Sequence, residues 1–187
     1  MRGWAVVAAG WLAIWAVACG GSSSKTEGKD ELYLNTDLLN TIEATFIKGR
    51  CLGRLTITPD GDGPSAALLA VARELSGKIP LDGSAPGSDQ ALVALVPATP
   101  LSGALSGWEE DLSDQVTGPW LETETAFDWI DGSGGPFDDN GFQAVAGERY
   151  SEPAESWSLD LELVDMGSVS GAEAAFTGAG WDAGTLQ

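Results

Sequence analysis

A strict alternation of apolar and polar residues over 157–163 is the feature that most limits what this chain can fold into. The apolar positions are Trp157, Leu159, Leu161 and Leu163, and the residues between them are serine, aspartate or glutamate. Because neighbouring side chains of a strand point to opposite faces of a sheet, this period of two predicts a strand with one buried and one polar face.

Similar patterns occur elsewhere in the chain, and turn residues separate them. The segments 42–46 and 55–57 alternate in the same way, with turns predicted at 48–50 and at Asp60-Gly61. Further strands are predicted at 90–96, 101–106, 116–130, 141–146 and 172–177. Short strands with frequent glycine and proline turns are typical of all-β domains. We therefore predict an antiparallel meander of roughly eight to ten strands that forms a barrel or a sandwich.

The segment 65–76 allows two interpretations. Its apolar residues fall on one helical face, with Ser65 placed as N-cap and Gly77 as C-cap, which predicts a short helix. Some of them, at positions 69, 71 and 75, also alternate as in a strand. Because the neighbouring segments have the pattern of strands, we prefer a strand here, with one short helix near 65–76 as the alternative.

Histidine is absent from the chain, and cysteine occurs only at Cys19 and Cys51. Without an imidazole, Ser-His-Asp and Cys-His catalysis and most catalytic zinc sites are excluded. If Cys19 is modified, Cys51 has no partner for an internal disulfide, and we predict that it is a buried, unreactive strand residue. We therefore predict that the protein is not an enzyme.

Acidic residues dominate the chain, which carries 28 Asp and Glu against 9 Lys and Arg. From Leu81 onward there are 20 acids, and Arg149 is the one base. Nucleic-acid binding needs clustered basic side chains that displace counterions, so a nucleic-acid partner is excluded. A solvated acidic surface explains the excess most simply, and attraction of cations is the alternative.

One acidic loop region is a candidate cation site. Its oxygen donors are Asp128, Asp131, Asp138, Asp139 and Asn140. Carboxylate and amide oxygens are the ligands that Ca²⁺ takes in proteins, so calcium is the one cofactor that the sequence suggests. The spacing does not match an EF-hand loop, and turn formation by Asp, Asn and Gly is the competing explanation.

Two tryptophans lie beside acids and are candidate ligand-binding residues. They are Trp108, followed by Glu109, and Trp129, which follows Asp128. An aromatic face next to carboxylates suits a sugar, although core packing competes as the explanation. Glu122 and Glu124 would share one strand face and are candidate carboxylates for a glycoside hydrolase.

The N-terminal segment predicts export. Arg2 precedes the apolar or small residues 3–18, a run shorter than the roughly 20 residues of a membrane-spanning helix. Ala16-Val17-Ala18-Cys19 resembles the lipobox of bacterial lipoproteins, although Ala16 replaces the usual leucine. The resemblance implies cleavage before Cys19, acylation of Cys19, and a lipid-bilayer anchor. With Gly20 after the cysteine, it also implies sorting to the outer membrane. An ordinary secretory signal or an uncleaved short anchor remain the alternatives.

These observations predict three segments: a signal peptide at 1–18, a lipidated cysteine and flexible Gly/Ser tether at 19–30, and one acidic domain at 31–187. The leading functional hypothesis is a lipid-anchored envelope protein with a non-enzymatic binding or scaffolding domain, whose partner is an envelope protein or a glycan. The alternatives are a calcium-assisted carbohydrate-binding or adhesion module and a carboxylate-dependent glycoside hydrolase.

Overall fold

The computed structural model describes residues 28–36, 41–58, 65–81, 89–97, 103–111, 119–126, 134–154 and 156–187. Their eight strands are β1 (Asp30–Asn35), β2 (Ile42–Lys48), β3 (Cys51–Thr58), β4 (Glu109–Glu110), β5 (Trp120–Glu122), β6 (Ala144–Glu152), β7 (Trp157–Asp165) and β8 (Thr185–Leu186). The helices are α1 (Ser65–Lys78), α2 (Asp89–Val93), α3 (Gly135–Asp138) and α4 (Val169–Gly178), with a 3-10 turn at Gly103–Leu105.

All eight strands belong to one sheet with the order β4-β6-β7-β3-β2-β1-β8, and β5 pairs with another part of β6. Every pairing is antiparallel. The predicted all-β class and strand number are therefore confirmed. The described strands form an open sheet and do not close into a barrel.

The sheet has two faces, which we name after the helices that pack on them. The α1 face carries the apolar side chains of β2, β3, β6 and β7, such as Phe46, Leu55 and Leu161, and these pack against α1, α2 and the 3-10 turn. On α1 the buried residues are Leu68, Val71, Ala72 and Leu75. Because the helical period places all four on one side, the helix buries its apolar stripe completely, and the preferred strand interpretation of 65–76 was wrong.

Three other segments expected as strands are not strands. The segment 101–106 contains the 3-10 turn Gly103–Leu105, and two segments are helical. The segment 90–96 lies largely in α2, and 172–177 lies in α4. α4 begins after Ser168, whose Oγ accepts a hydrogen bond from Gly171 N at 3.0 Å, as an N-cap serine does. Three alanines within α4 add high helix propensity, which outweighs the short apolar alternation of that segment.

The α4 face is covered over only part of its area. At one end Ile47, Leu52, Val145 and Val164 pack against Ala172, Ala175 and Phe176 of α4 and against Phe137 of α3. Trp181, just after α4, completes this core with ring centroids 5.2 Å from Phe137 and 6.2 Å from Phe176. The other end of the α4 face carries polar side chains and forms an open depression.

No helix among the described residues has the length and apolar character that crossing a bilayer requires.

Candidate functional site: a charged groove on the α4 face

The polar end of the α4 face forms a groove of about 540 Å³. Four central strands form its floor, and β5 and the end of β4 supply one wall. The lining residues are Glu43, Arg54, Thr56, Asp111, Trp120, Glu148, Arg149, Asp160, Leu161 and Glu162. Five of these carry carboxylates and two carry guanidinium groups, so the groove has an excess of negative charge.

The strand register places the charged residues of the floor in rows across the sheet. Thr56 lies opposite Glu43 on one side and Asp160 on the other, and Asp160 lies opposite Arg149. The next row holds Arg54 opposite Glu162. Side chains directly opposite on antiparallel strands are about 5 Å apart, so the register brings opposite charges into contact.

Arg54 and Glu162 form the most protected ion pair of the groove. Arg54 Nε donates to Glu162 Oε2 at 2.6 Å, and the two side chains are 23% and 15% exposed. The Arg54 guanidinium also lies 5.2 Å from the centroid of the Trp181 ring, within the range of a cation–π interaction. The backbone carbonyl of Trp181 accepts a hydrogen bond from Thr45 Oγ1 at 2.5 Å, which fixes the position of Trp181. The groove is thus joined to the apolar core through Arg54.

A second ion pair lies closer to solvent. Arg149 Nε donates to Asp160 Oδ1 at 2.5 Å, and these side chains are 48% and 39% exposed. An exposed pair of this kind contributes little to stability, at most about 1 kcal/mol. Its main effect is to fix the position of Asp160 beside Thr56.

Glu43 differs from these residues because it forms no ion pair within the described part of the chain. Burial raises the pKa of its carboxyl group, Arg54 opposes that rise, and Glu162 adds to it. The charged form of Glu43 is therefore disfavoured where it lies.

Glu148 lies at the sheet edge, where β6 is not paired by its outer neighbours. β4 pairs with Tyr150 and Ser151, whereas β5 pairs with residues 145–147, so Glu148 falls between the two. Asp111 N donates to the Arg149 carbonyl at 2.9 Å, but the Arg149 N–H is accepted by Glu148 Oε1, also at 2.9 Å. A side-chain oxygen thus replaces the strand acceptor that β4 would otherwise supply.

The other carboxylate oxygen of Glu148 has no such role. Glu148 is only 7% exposed, and its Oε2 is buried without a hydrogen-bond partner among the described residues. Burial raises the pKa of this carboxyl group, the Arg149 N–H lowers it, and Glu110 raises it further. A buried acceptor left without a donor is costly. Because Glu148 lies opposite Leu161, its side chain belongs to the α1 face of the sheet and not to the floor of the groove.

Trp120 forms one wall of the groove, on the face of β6 opposite to the Glu148 side chain. It lies opposite Gly147, and a Cβ atom on Gly147 would approach Trp120 Cζ2 to 2.4 Å. The indole therefore rests directly on the backbone of β6, which only glycine allows. Trp120 is partly exposed in this position.

The predicted calcium residues have structural roles where they are described. Asp138 Oδ1 accepts from Ala126 N at 2.8 Å, and Asp138 Oδ2 accepts from Thr125 Oγ1 at 3.1 Å. Asn140 Nδ2 donates to the Pro136 carbonyl at 2.7 Å, and Asp139 is exposed after α3. Asp128 and Asp131 lie outside the described residues. Among those described, no three His, Cys, Asp or Glu residues group to hold a metal ion, and calcium binding stays a prediction.

Of the other predicted residues, those that the structure describes do not line the groove. Trp108 is 9% exposed and packs in the core on the α1 face, and Trp129 and Cys19 lie outside the described residues. β5 ends at Glu122, and Glu122 Oε1 accepts from Glu124 N at 2.5 Å. The expectation that Glu122 and Glu124 share one strand face was wrong, because the strand ends before Glu124.

Cys51 is fully buried at the start of β3, as the sequence predicts. Burial and the nearby Asp165 raise the pKa of its thiol to about 12, although Arg50 opposes the rise. A thiol that stays protonated is a poor nucleophile.

Sequence reasoning missed Glu43, Arg54 and Arg149 as members of one site. The alternation over 157–163 did predict that Asp160 and Glu162 share a polar face. Their partners come from strands about 10 to 110 residues away in sequence, and only the register shows which charges meet.

Comparisons with known proteins identify no relative. No family model matches this chain, and neither a curated protein nor a solved structure matches it. Its function is therefore to be inferred from the residues of the groove and from the sequence of the N-terminal segment.

Proposed function

We propose that this protein is a bacterial envelope lipoprotein, anchored by acylated Cys19, whose acidic β domain binds a ligand in the groove on the α4 face. The observation that supports binding is the groove itself. Cross-strand ion pairs already hold its charged side chains in place, so binding a ligand costs little further side-chain entropy. Its volume of about 540 Å³ lies in the range of small-ligand sites.

A binding role fits the groove better than catalysis does. Asp160 and Glu162 each form an ion pair with an arginine, so both carboxylates already have a charged partner in the groove. The chain also contains no histidine to act as a base near neutral pH. The groove thus offers fixed charges, which are recognition elements.

A carbohydrate ligand is the second candidate, and Trp120 is the observation that favours it. A partly exposed indole beside carboxylates resembles the aromatic platforms on which sugars stack. This candidate keeps the predicted glycan partner but moves its site from Trp108 and Trp129 to Trp120. Neutral glycans and charged ligands would then compete for the same groove.

The anchor is tested by Cys19→Ala in the native host, with fractionation and metabolic labelling by a fatty acid. We expect the wild-type protein to carry the label and remain with membranes. The variant should lose the label and appear in the soluble fraction, because one cysteine carries every acyl chain. Unchanged membrane retention of the unlabelled variant would reject the lipid anchor.

The groove is tested by native mass spectrometry of protein purified from envelopes. Thr56→Arg places a large side chain on the groove floor, whereas Thr58→Arg places the same side chain at the exposed end of β3, outside the groove. We expect a co-purified mass that Thr56→Arg loses and Thr58→Arg retains. If both variants keep the same bound mass, the groove is not its site.

A further inference from the structure

We propose that the domain rests on the membrane through the end of the sheet at which the N-terminal segment enters it, so that the groove opens away from the bilayer. The surface that this end contacts is a bilayer with anionic lipid headgroups. This inference rests on the proposed function, because it takes acylated Cys19 as the anchor. Three observations support it: the fixed entry of the chain, the distribution of charge, and the position of the groove along the strands.

The chain enters the domain at the turn between β2 and β3. Gly49 N donates to the Lys29 carbonyl at 3.1 Å, and Gly28 N donates to the Leu81 carbonyl at 3.3 Å. Gly28 also lies against the turn, since a Cβ atom on Gly28 would approach Gly49 Cα to 2.6 Å. These contacts fix the place where the N-terminal segment reaches the sheet. We call the β2–β3 turn, the start of β1 and the end of α1 at Lys78 the entry end.

The length of chain between the anchor and the entry end is limited. Residues 20–27 separate Cys19 from Gly28, and this stretch spans at most about 32 Å when fully extended. β7 alone has nine residues and is therefore about 30 Å long. The entry end is thus the part of the domain that an anchor at Cys19 keeps nearest to the bilayer.

Charge is distributed unevenly between the entry end and the rest of the domain. Four of the seven described bases lie at the entry end, and each pairs with one carboxylate. The pairs are Lys29 with Glu31, Lys48 with Asp30, Arg50 with Asp165 and Lys78 with Glu74. The other described residues carry 15 acids against only three bases. The entry end is therefore balanced in charge, whereas the remainder is strongly acidic.

This difference determines which surface can approach anionic lipids. Such a bilayer repels acidic protein surfaces within about one Debye length, which is about 8 Å at physiological ionic strength. The acidic remainder of the domain is repelled, and the balanced entry end is not. Lys29 and Lys78 are also accessible there, with side chains 45% and 44% exposed. Each can contact a lipid phosphate at the expense of an exposed ion pair that contributes little to stability.

The groove lies toward the opposite ends of the same strands. On its floor, Glu43 is six residues from Gly49 and Thr56 is six residues from Arg50, a distance of about 20 Å along the strands. The core under α4 covers the sheet between the turn and the groove. With the entry end on the bilayer, the groove opens to the aqueous compartment. Its ligand is therefore a water-soluble molecule or polymer and not a membrane lipid.

The test measures energy transfer from the full lipidated protein to an acceptor dye on lipids, in liposomes of phosphatidylcholine and phosphatidylglycerol. The donor dye is attached to an introduced cysteine, since Cys51 is buried and Cys19 is acylated. Gly77→Cys places it beside the entry end, where a Cβ atom meets nothing within 4 Å, and Thr58→Cys places it at the exposed end of β3. Position 58 lies about 25 Å along β3 from the turn, so we expect at least about twofold higher transfer from position 77.

Two charge reversals test the contact with lipid. Lys29→Glu makes the entry end acidic, and Arg73→Glu makes the same change at an exposed position of α1 outside the entry end. With Lys29→Glu, we expect transfer from position 77 to fall toward that from position 58, because the entry end is then repelled as well. Arg73→Glu should leave the ratio close to that of the wild type. Circular dichroism confirms that each variant is folded.

Equal transfer from positions 77 and 58 would overturn the inference, as would an equal effect of Lys29→Glu and Arg73→Glu. Flotation of the liposomes separates this failure from failure of the proposed function. Protein that floats with the liposomes but transfers energy equally from both positions is anchored without the proposed orientation. If the protein does not float, the lipid anchor and the orientation are both wrong.

Discussion

Arg54 and Glu162 lie directly opposite each other on β3 and β7, and their 2.6 Å hydrogen bond joins strands separated by 108 residues in sequence. Burial lowers the pKa of the Arg54 guanidinium, but Glu162 and, to a smaller extent, the charge of Glu43 raise it above its usual value. One arginine therefore serves two carboxylates on the floor of the groove. Loss of the arginine and loss of a single carboxylate should have different consequences.

We expect Arg54→Met to lower the free energy of unfolding by about 2 to 4 kcal/mol, since it leaves two partly buried carboxylates without their shared cation. Glu162→Gln should lower the free energy of unfolding by less, because the negative charge of Glu43 still compensates the Arg54 guanidinium. Urea unfolding followed by circular dichroism measures both. Arg149→Met is the matched control, and its exposed pair should cost at most about 1 kcal/mol. If Arg54→Met and Arg149→Met lower the free energy of unfolding equally, Arg54 does not stabilise the groove more than the exposed Arg149 does.

Gly147 should not tolerate a side chain. A Cβ atom there would lie 2.4 Å from Trp120 Cζ2 and 2.7 Å from the Leu161 carbonyl oxygen. We expect Gly147→Ala to destabilise the protein by about 1 to 3 kcal/mol through overpacking and to shift tryptophan fluorescence as Trp120 moves.

Gly77→Ala is the control for that substitution. Gly77 lies near the end of α1, and a Cβ atom there would meet nothing within 4 Å. Alanine should therefore raise stability by about 0.5 to 1 kcal/mol, because it restricts the unfolded chain and favours the helix. If Gly147→Ala is as stable as the wild type, the Trp120 ring does not lie in contact with the backbone of Gly147.

Glu43 should make stability fall as the pH rises. Its pKa is raised in the folded protein, so the folded state holds a proton that the unfolded state releases above about pH 4.3. This contribution is present below the unfolded pKa and is lost as the pH passes through the folded pKa. Glu43→Gln should therefore be more stable than the wild type at pH 7, with the difference disappearing toward pH 4. Thermal unfolding across that range measures it, and a constant difference would contradict the raised pKa.

Cys51 should resist thiol reagents while the protein is folded. Its full burial and its pKa of about 12 leave almost no accessible thiolate at pH 8. In a Cys19→Ala background, we expect less than about 5% labelling by a chromogenic disulfide reagent in buffer and complete labelling in guanidinium chloride. Rapid labelling under native conditions would mean that β3 opens locally at its first residue.

Calcium binding by the acidic loop region predicts a saturable rise in melting temperature that magnesium and sodium do not reproduce. A specific ligand at a hundredfold excess over Kd stabilises by about 2.7 kcal/mol. Asp131→Asn should reduce the response if the loop holds the ion, whereas Glu109→Gln should not. An equal response to sodium chloride of the same ionic strength would instead indicate screening of the acidic surface.

The sequence predicted the framework of the sheet because its central strands alternate cleanly. The 157–163 pattern became β7, and the turn at 48–50 became the β2–β3 hairpin, where Gly49 has a φ of 58°. Helices were missed where short apolar runs fit both periods, as in α2 and α4. In these segments the apolar alternation favours a strand, whereas helix propensity and N-capping favour a helix. Packing against the sheet decides which of the two forms.

The groove was less predictable than the sheet. Asp160 and Glu162 could be assigned to a polar face, but Arg54 and Arg149 became their partners only through strand register. Glu148 lies on the α1 face opposite Leu161, as alternation predicts, but its hydrogen bond to the Arg149 N–H has no sequence signal. Its role depends on where β4 and β5 stop pairing with β6, a tertiary feature without a local signal.

The contact between β3 and β7 also determines when the groove can exist during folding. It joins the β2–β3 hairpin to the β6–β7 hairpin, and the 85 residues between Thr58 and Ala144 separate these hairpins in sequence. Contacts so distant in sequence form slowly, because the chain must first close a large loop. A ligand in the groove touches strands from both hairpins, so it would hold the docked state together. Occupancy should therefore slow unfolding of the whole domain and protect amides in β3 and β7 from hydrogen exchange.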